Sequence, residues 1–247
     1  MNSEVTIPKV IHYCWFGPSK MPKLAELCIE SWRRYMPEYE LRRWTELEFD
    51  VETIPFTREA YREGRYAFVS DYVRLWAIYK YGGIYLDTDV ELKRSLAPLC
   101  ARGPWLGREQ SEHDYPPNLG LGFALPPKHW LARAMLDYYQ ELMFPRSYKE
   151  KSKVTIVETL RPVLNSYGLE YRDKHQQIED VHIYPSAYLA PKQYYTGRVR
   201  ITGDTYSVHH YAASWVSPLQ KWKNRLIALL GPHLGEWLIN LKRGGVD

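Results

Sequence analysis

The sequence predicts an α/β domain built on a mixed central sheet, and three observations predict it. The chain opens on a β-α-β pattern. A long helical segment further on is closed by Gly82-Gly83 and runs straight into an apolar strand. Short strand and helix patterns then alternate up to about residue 210. With 247 residues, 45% of them hydrophobic and 25% charged, the chain can bury a sizeable core as one domain. The expected division is a body over residues 1–215 and a basic amphipathic helical tail over residues 216–247.

Residues 7–16 form an apolar, β-branched run closed by Gly17-Pro18, the pattern of a buried strand ending in a loop. From Pro22 to Tyr35, Leu24, Leu27, Cys28 and Trp32 recur at helical spacing until Pro37 stops them. Residues 39–44 read as a second strand. Ser70 is placed to cap a helix through residues 71–81, which Gly82-Gly83 ends by supplying positive φ. The strand IYLD follows and opens Asp87-Thr88-Asp89, so the carboxylates sit past a strand's carboxyl end, where open α/β sheets place ligands. A glycine-spaced segment runs from Asn118 to Pro127, and a helix is expected from about His129 to Leu142. Residues 181–184 and 206–210 are short strand candidates. Residues 145–180 carry no clear pattern, and Lys149, Lys151 and Lys153 there read as a solvated surface.

Several classes are excluded or set aside. No run approaches about eighteen consecutive apolar residues, and the first ten residues lack the apolar stretch of a signal peptide, so a cytoplasmic location is the expectation. Cys14, Cys28 and Cys100 lack metal-type spacing and read as reduced thiols. Net charge is +4, and the tail alone contributes +3 through Lys221, Lys223, Arg225, Lys242 and Arg243 against Glu236 and Asp247. No nucleic-acid-binding face is therefore expected on the body. The tail's stripe of Leu219, Trp222, Leu226, Leu229 and Leu230 suits either docking onto the body or peripheral contact with the inner face of an anionic membrane.

The chemistry is concentrated at the acidic doublet. Two carboxylates one residue apart repel by about 1 to 4 kcal/mol at 4 Å, which a cation would offset. Oxygen ligands of this kind suit Mn²⁺ or Mg²⁺, ions that take their remaining ligands from water and substrate phosphates. Asp71 and Arg74, three residues apart, share one face of the preceding helix. An acidic turn, or a structural ion pair, would give the same residues without a function.

The segment Ser70-Asp-Tyr-Val-Arg-Leu-Trp-Ala-Ile-Tyr-Lys-Tyr-Gly-Gly-Ile-Tyr-Leu-Asp-Thr-Asp89 resembles the signature of glycosyltransferase family 32, which carries a DXD sugar-binding motif. The opening Ile7–Gly17 is similar to that family's first strand and to that of the related glucosylating toxins. Asn118–Ala124 and His209-His210-Tyr-Ala-Ala-Ser-Trp215 extend the likeness across the body. The resemblance implies a GT-A-like fold and a retaining transfer from a nucleotide-diphosphate sugar, UDP-sugars first and GDP-mannose second, to a glycan or lipid-linked acceptor in polysaccharide biosynthesis. It implies front-face attack, since no nucleophile is apparent in the sequence.

Residue by residue, the resemblance implies that Trp15 stacks on the base and that Asp71 and Arg74 contact the transferred sugar. Asp87 would bind ribose or sugar hydroxyls beside the metal, and Asp89 would bind the metal itself. His209 or His210 would lie near that ion, Ser214 near it or the β-phosphate, and Trp215 would donate its indole N–H toward the leaving oxygens. Asn118 would read a sugar hydroxyl. Two other classes fit parts of the sequence: a haloacid-dehalogenase-like phosphohydrolase, whose aspartate pair also follows an apolar strand, and a non-catalytic sugar-nucleotide or glycan binder.

Overall fold

A computed structural model describes residues 6–111, 114–145, 147–192 and 197–212. Ser214, Trp215 and the tail over residues 216–247 lie outside them. The elements run β1 (Val10–Cys14), α1 (Lys23–Tyr35), β2 (Glu40–Trp44), α2 (Pro55–Arg62), α3 (Tyr66–Tyr81), β3 (Gly83–Tyr85) and β4 (Val90–Leu92). They continue α4 (Ala97–Cys100), β5 (Trp105–Arg108), β6 (Pro117–Leu125), α5 (Trp130–Glu141), α6 (Tyr148–Lys151), α7 (Ile156–Asn165), β7 (Gln176–Ile178), β8 (Val181–Tyr184), α8 (Ser186–Leu189) and β9 (Ser207–His209).

Seven strands form one sheet in the order β2-β1-β3-β6-β5-β8-β7. The pairs β2/β1, β1/β3 and β5/β8 are parallel, whereas β3/β6, β6/β5 and β8/β7 are antiparallel. The mixed α/β sheet expected of a GT-A-like domain is present. Alternate strand residues face two cores: Tyr85, Leu106, Phe123 and Leu125 join α3, α5 and α7 on one side, and Ile84, Leu86, Trp105 and Leu121 join α1 and α8 on the other. Burial on both faces explains why every residue of β6 is buried and why its sequence shows no polar alternation. The β1, α1, β2 and β3 expectations hold, and no described helix is long and apolar enough to cross a membrane.

Three expectations need correction. Ser70 does not cap α3: the helix starts one turn earlier, and the Ser70 hydroxyl donates back to the Tyr66 carbonyl at 3.1 Å. Asp71 is therefore mid-helix, and its placement owes nothing to a first-turn dipole. Lys151 is not solvated; it is buried and ion-paired with Glu63, joining α6 to the end of α2. Finally, the apparently patternless stretch over 145–180 contains α7 and β7, whose apolar residues Ile156, Leu160, Leu164 and Ile178 enter the core.

A second, two-stranded sheet pairs β4 with β9 antiparallel, bringing Val90 opposite His209. Fully buried Trp32 of α1 secures β4 by donating its indole N–H to the Val90 carbonyl at 2.7 Å. The fold therefore delivers the histidines late in the chain to the far side of the acidic doublet.

Candidate functional site

The site begins where α3 stops. Gly82 and Gly83 take φ of +64° and +109°, a turn that L side chains resist, and β3 then runs parallel beside β1. Asp87 and Asp89 sit in the turn between β3 and β4, at the carboxyl end of β3. Because the chain reverses at Gly82-Gly83, α3 runs antiparallel to this strand, and two of its buried side chains reach the turn. Arg74 Nη2 lies 2.8 Å from Asp71 Oδ1 and 3.1 Å from Asp87 Oδ1, while its guanidinium stacks over the Tyr85 ring at 4.8 Å. Tyr85 in turn donates its hydroxyl to Asp87 Oδ1 at 3.0 Å. Asp71 and Arg74 are thus more than a surface pair; they are a buried charge network joined to the doublet.

Asp89 is held differently. Its Oδ1 lies 3.0 Å from His209 Nε2, and its Oδ2 accepts the Ala212 backbone N–H at 2.7 Å. Its backbone carbonyl accepts the His210 N–H at 2.9 Å. His210 itself turns the other way, with Nε2 3.0 Å from Glu91 Oε2. Period-two alternation past β9 separates the two imidazoles, so the structure brings His209 and not His210 to the doublet. Lys192 secures the same loop by donating to the His210 carbonyl at 2.7 Å.

Ligand atoms of Asp87, Asp89 and His209 all lie within 4.8 Å of one another. Two hard carboxylates and one imidazole form a donor set that fits Mn²⁺ or Mg²⁺ with positions left for water and phosphate. Among the described residues His209 Nδ1 is buried without a partner and so is Arg74 Nη1, which marks the site as built for more than its own internal bonds.

The electrostatics divide the doublet. Burial pushes Asp87 up, against Arg74 and with the repulsion of Asp89. Asp89 is held well below the usual carboxylate range, because burial is outweighed by His209 and the Ala212 N–H. Burial opposes the His209 charge, but Asp89, Asp87 and Glu109 together raise its pKa. Asp71 is pushed up to about 7 by burial, against its pairing with Arg74. Cys14, packed nearby, is pushed up to about 12 by burial and is no nucleophile.

Asn118 reaches the site through an irregularity. Leu106 and Gly107 are adjacent on β5, yet they pair with Phe123 and Asn118, so β6 bulges over residues 119–122. The bulge carries Gly120 against the doublet: a Cβ there would lie 2.7 Å from Asp87 Oδ2 and 3.0 Å from Asn118 Oδ1. The Asn118 amide is fixed by both ends, Oδ1 accepting the Gly120 N–H at 2.7 Å and Nδ2 donating to Glu109 Oε2 at 2.9 Å. Glu109 and Lys192 escaped the sequence reading. No local motif surrounds them, and only strand pairing and the late loop bring them in; the glycine spacing at 120 was the one visible signal.

Trp15 lies past the end of β1, half-buried, and donates its indole N–H to the Ser19 carbonyl at 2.7 Å. Its polar contact is with that loop and not with the acidic group. Ser214 and Trp215 lie outside the described residues.

A carboxylate doublet lies at a strand's carboxyl end with a buried Asp–Arg pair behind it, and residues 22–111 match the model of the glycosyltransferase sugar-binding region containing the DXD motif, in line with the resemblance read from the sequence. Asp71, Arg74, Asp87 and Asp89 all fall inside the matched stretch. Inositol phosphoceramide mannosyltransferase 3 of Schizosaccharomyces pombe is 36% identical over 114 residues, which cover 43% of this chain and 31% of that protein. Inositol phosphoceramide mannosyltransferase 1 of the same yeast is 28% identical over 134 residues, 50% of this chain and 40% of the relative. The chain thus spans less than half the length of these two relatives. An uncharacterized glycosyltransferase of Acanthamoeba polyphaga mimivirus is 25% identical over 236 residues, 88% of this chain and 87% of its own length. Among solved structures, a glycosyltransferase involved in glycosylation of the major capsid of PBCV-1 aligns with a TM-score of 0.47 at 15% identity, covering 84% of this chain and 95% of that one.

Proposed function

We propose that the protein is a divalent-metal-dependent, retaining glycosyltransferase that moves a hexose from a nucleotide-diphosphate sugar to a glycan or lipid-linked glycan. The observation that carries this reading is the convergence of Asp87, Asp89 and His209 on the buried Asp71–Arg74 pair inside the matched DXD region. The names of the two yeast relatives support a mannosyl donor beside the UDP-sugars that the family resemblance puts first.

In this reading Asp87, Asp89 and His209 hold Mn²⁺ or Mg²⁺, and the bound ion supplies positive charge to the departing diphosphate. Arg74 is locked by two carboxylates and a ring, so it meets the sugar without reorganising, and Asp71 and Asn118 offer oxygens to sugar hydroxyls. Trp15 at the β1 end is the proposed base platform, and Ser214 and Trp215 the proposed donors at the phosphates. The pre-set geometry lowers the entropic barrier to joining two sugars.

The test is release of nucleoside diphosphate from a panel of UDP- and GDP-sugars with Mn²⁺, for the parent and Asp89→Asn. One charge-stabilising group is commonly worth about 10²–10³ in rate, and Asp89→Asn should lose at least about 100-fold. Equal turnover by the variant would overturn the reading. Binding without turnover in the parent would indicate a binder, and phosphate release from simple monoesters a phosphohydrolase.

A further inference from the structure

At the carboxyl end of β8, on the face of the sheet that α8 covers, a cavity of about 170 Å³ is walled by Arg102, His175, His182, Tyr184, Pro185 and Tyr188. It stands apart from the acidic doublet. Asn118, Gly107 and Tyr184 are paired across β6, β5 and β8, which sets Tyr184 about 10 Å along the sheet from Asn118. Between them Leu189 of α8 sits on Gly107, where an added Cβ would lie 2.6 Å from Leu189 Cδ1.

The Tyr184 hydroxyl is buried in this wall and meets no hydrogen-bond partner among the described residues. Its ring is held in place, stacked on Tyr188 with centroids 5.0 Å apart and on His182 at 6.1 Å. Burial raises the Tyr184 pKa, against the nearby Arg102, so the phenol keeps its proton and holds a donor that goes unused. The imidazoles are fixed as well. His182 Nε2 lies 3.1 Å from the Arg102 carbonyl, which can only accept, so in the neutral ring that nitrogen carries the proton and Nδ1 accepts from His175 Nε2 at 3.1 Å. This relay ties the backbone that bears Arg102 to β8.

Charge decides what the cavity can take. Burial lowers the His175 pKa, and His182, Arg102 and Arg108 lower it further, so the surroundings already resist added positive charge. No carboxylate lines the cavity among the described residues, and Asp173, close by in the chain, accepts the Ser186 N–H and hydroxyl at 2.7 Å each. A cation is disfavoured there. A phosphate group is matched, because a guanidinium offers paired planar donors and the phenol offers one more.

We propose that this cavity binds a phosphate group, free or carried as a monoester, with Arg102 and the Tyr184 hydroxyl donating to its oxygens and Pro185 and Tyr188 flanking any organic part. The site needs neither the cation nor the sugar nucleotide, so it stands or falls apart from the transferase reading.

The test is titration of the full chain, without added metal, with inorganic phosphate and with glycerol phosphate, read by backbone ¹H–¹⁵N NMR. The His182 and Tyr188 amide signals should shift and saturate. Arg102→Gln and Tyr184→Phe should each weaken binding by about 10-fold or more, since hydrogen bonds to a charged group are the strong ones. Without phosphate, Tyr184→Phe should melt no lower than the parent, because the hydroxyl it removes has no bond to lose. Tighter binding of glycerol phosphate supports an organic phosphate as the ligand, and equal affinity supports the free ion. Absence of a saturable shift at these residues with both probes overturns the proposal, as does parent-like affinity in either variant.

Discussion

His12 shows how a single buried residue sets a pH limit. It is fully buried, with Nε2 2.9 Å from the Gly82 carbonyl and Nδ1 3.0 Å from the Trp44 indole nitrogen. The carbonyl can only accept and the indole N–H can only donate, so the ring is neutral with its proton on Nε2. A second proton would collide with the Trp44 donor. Burial accordingly lowers the His12 pKa from 6.5 to about 4, with Arg42 adding to the effect and Gly82 and Glu40 opposing it. A depressed folded-state pKa means that the unfolded chain takes up the proton first as pH falls. The His12 contribution is complete above pH 6.5 and is lost on the way down to about pH 4, a span worth about 3 kcal/mol. Urea unfolding at pH 7 and pH 5 should show a drop of about 2 kcal/mol in the parent relative to His12→Gln. A parallel pH response of the two proteins would refute it. The residue scale is also where part of the cluster was legible in the sequence. Asp71, Arg74, Asp87 and Asp89 were visible because their spacing on one helix and one turn is local.

At the scale of elements, legibility depended on whether the decisive pairing was local. The strand–helix–strand opening and the glycine-ended α3 could be read directly, since periodicity and helix-ending residues act within a few positions. The β6 bulge could not, because a register slip against β5 is a property of two strands and leaves only the spacing of Gly120 and Gly122 in the sequence. Residues 145–180 were opaque for a related reason: their order comes from distant partners. Buried Arg108 binds the Lys174 carbonyl at 3.2 Å and the Gln176 side-chain oxygen at 3.0 Å, and the Ile156 N–H at the start of α7 points to Asp71. The join between α1 and β4 carries its own expectation. Trp32→Ala removes a fully buried indole and orphans the Val90 carbonyl, at a cost of about 3 to 5 kcal/mol in unfolding free energy. Trp32→Phe keeps most of the packing and should lose only about 1 to 3 kcal/mol through the unpaired carbonyl. Equal stability of the two variants would mean that the indole hydrogen bond matters more than the volume.

For the whole molecule, the proposed cation site joins parts of the chain that the main sheet does not hold together. Asp87 and Asp89 follow β3, whereas His209 arrives on β9, which belongs to the separate two-stranded sheet. An ion bound between them should therefore stabilise the global fold. At about 100 times its Kd, Mn²⁺ should add about 2.7 kcal/mol, which for a chain of this size raises Tm by roughly 5 to 10 °C. Scanning calorimetry with Mn²⁺ and then excess chelator checks this, and a Tm indifferent to both would count against an ion at this position.

The β4–β9 pairing also bears on synthesis. A ribosome releases the acidic doublet long before it releases His209, so a half-made or clipped copy carries Asp87 and Asp89 without the imidazole beside them. Only a polypeptide finished through the Ala212 amide can close the Asp87–Asp89–His209 cluster.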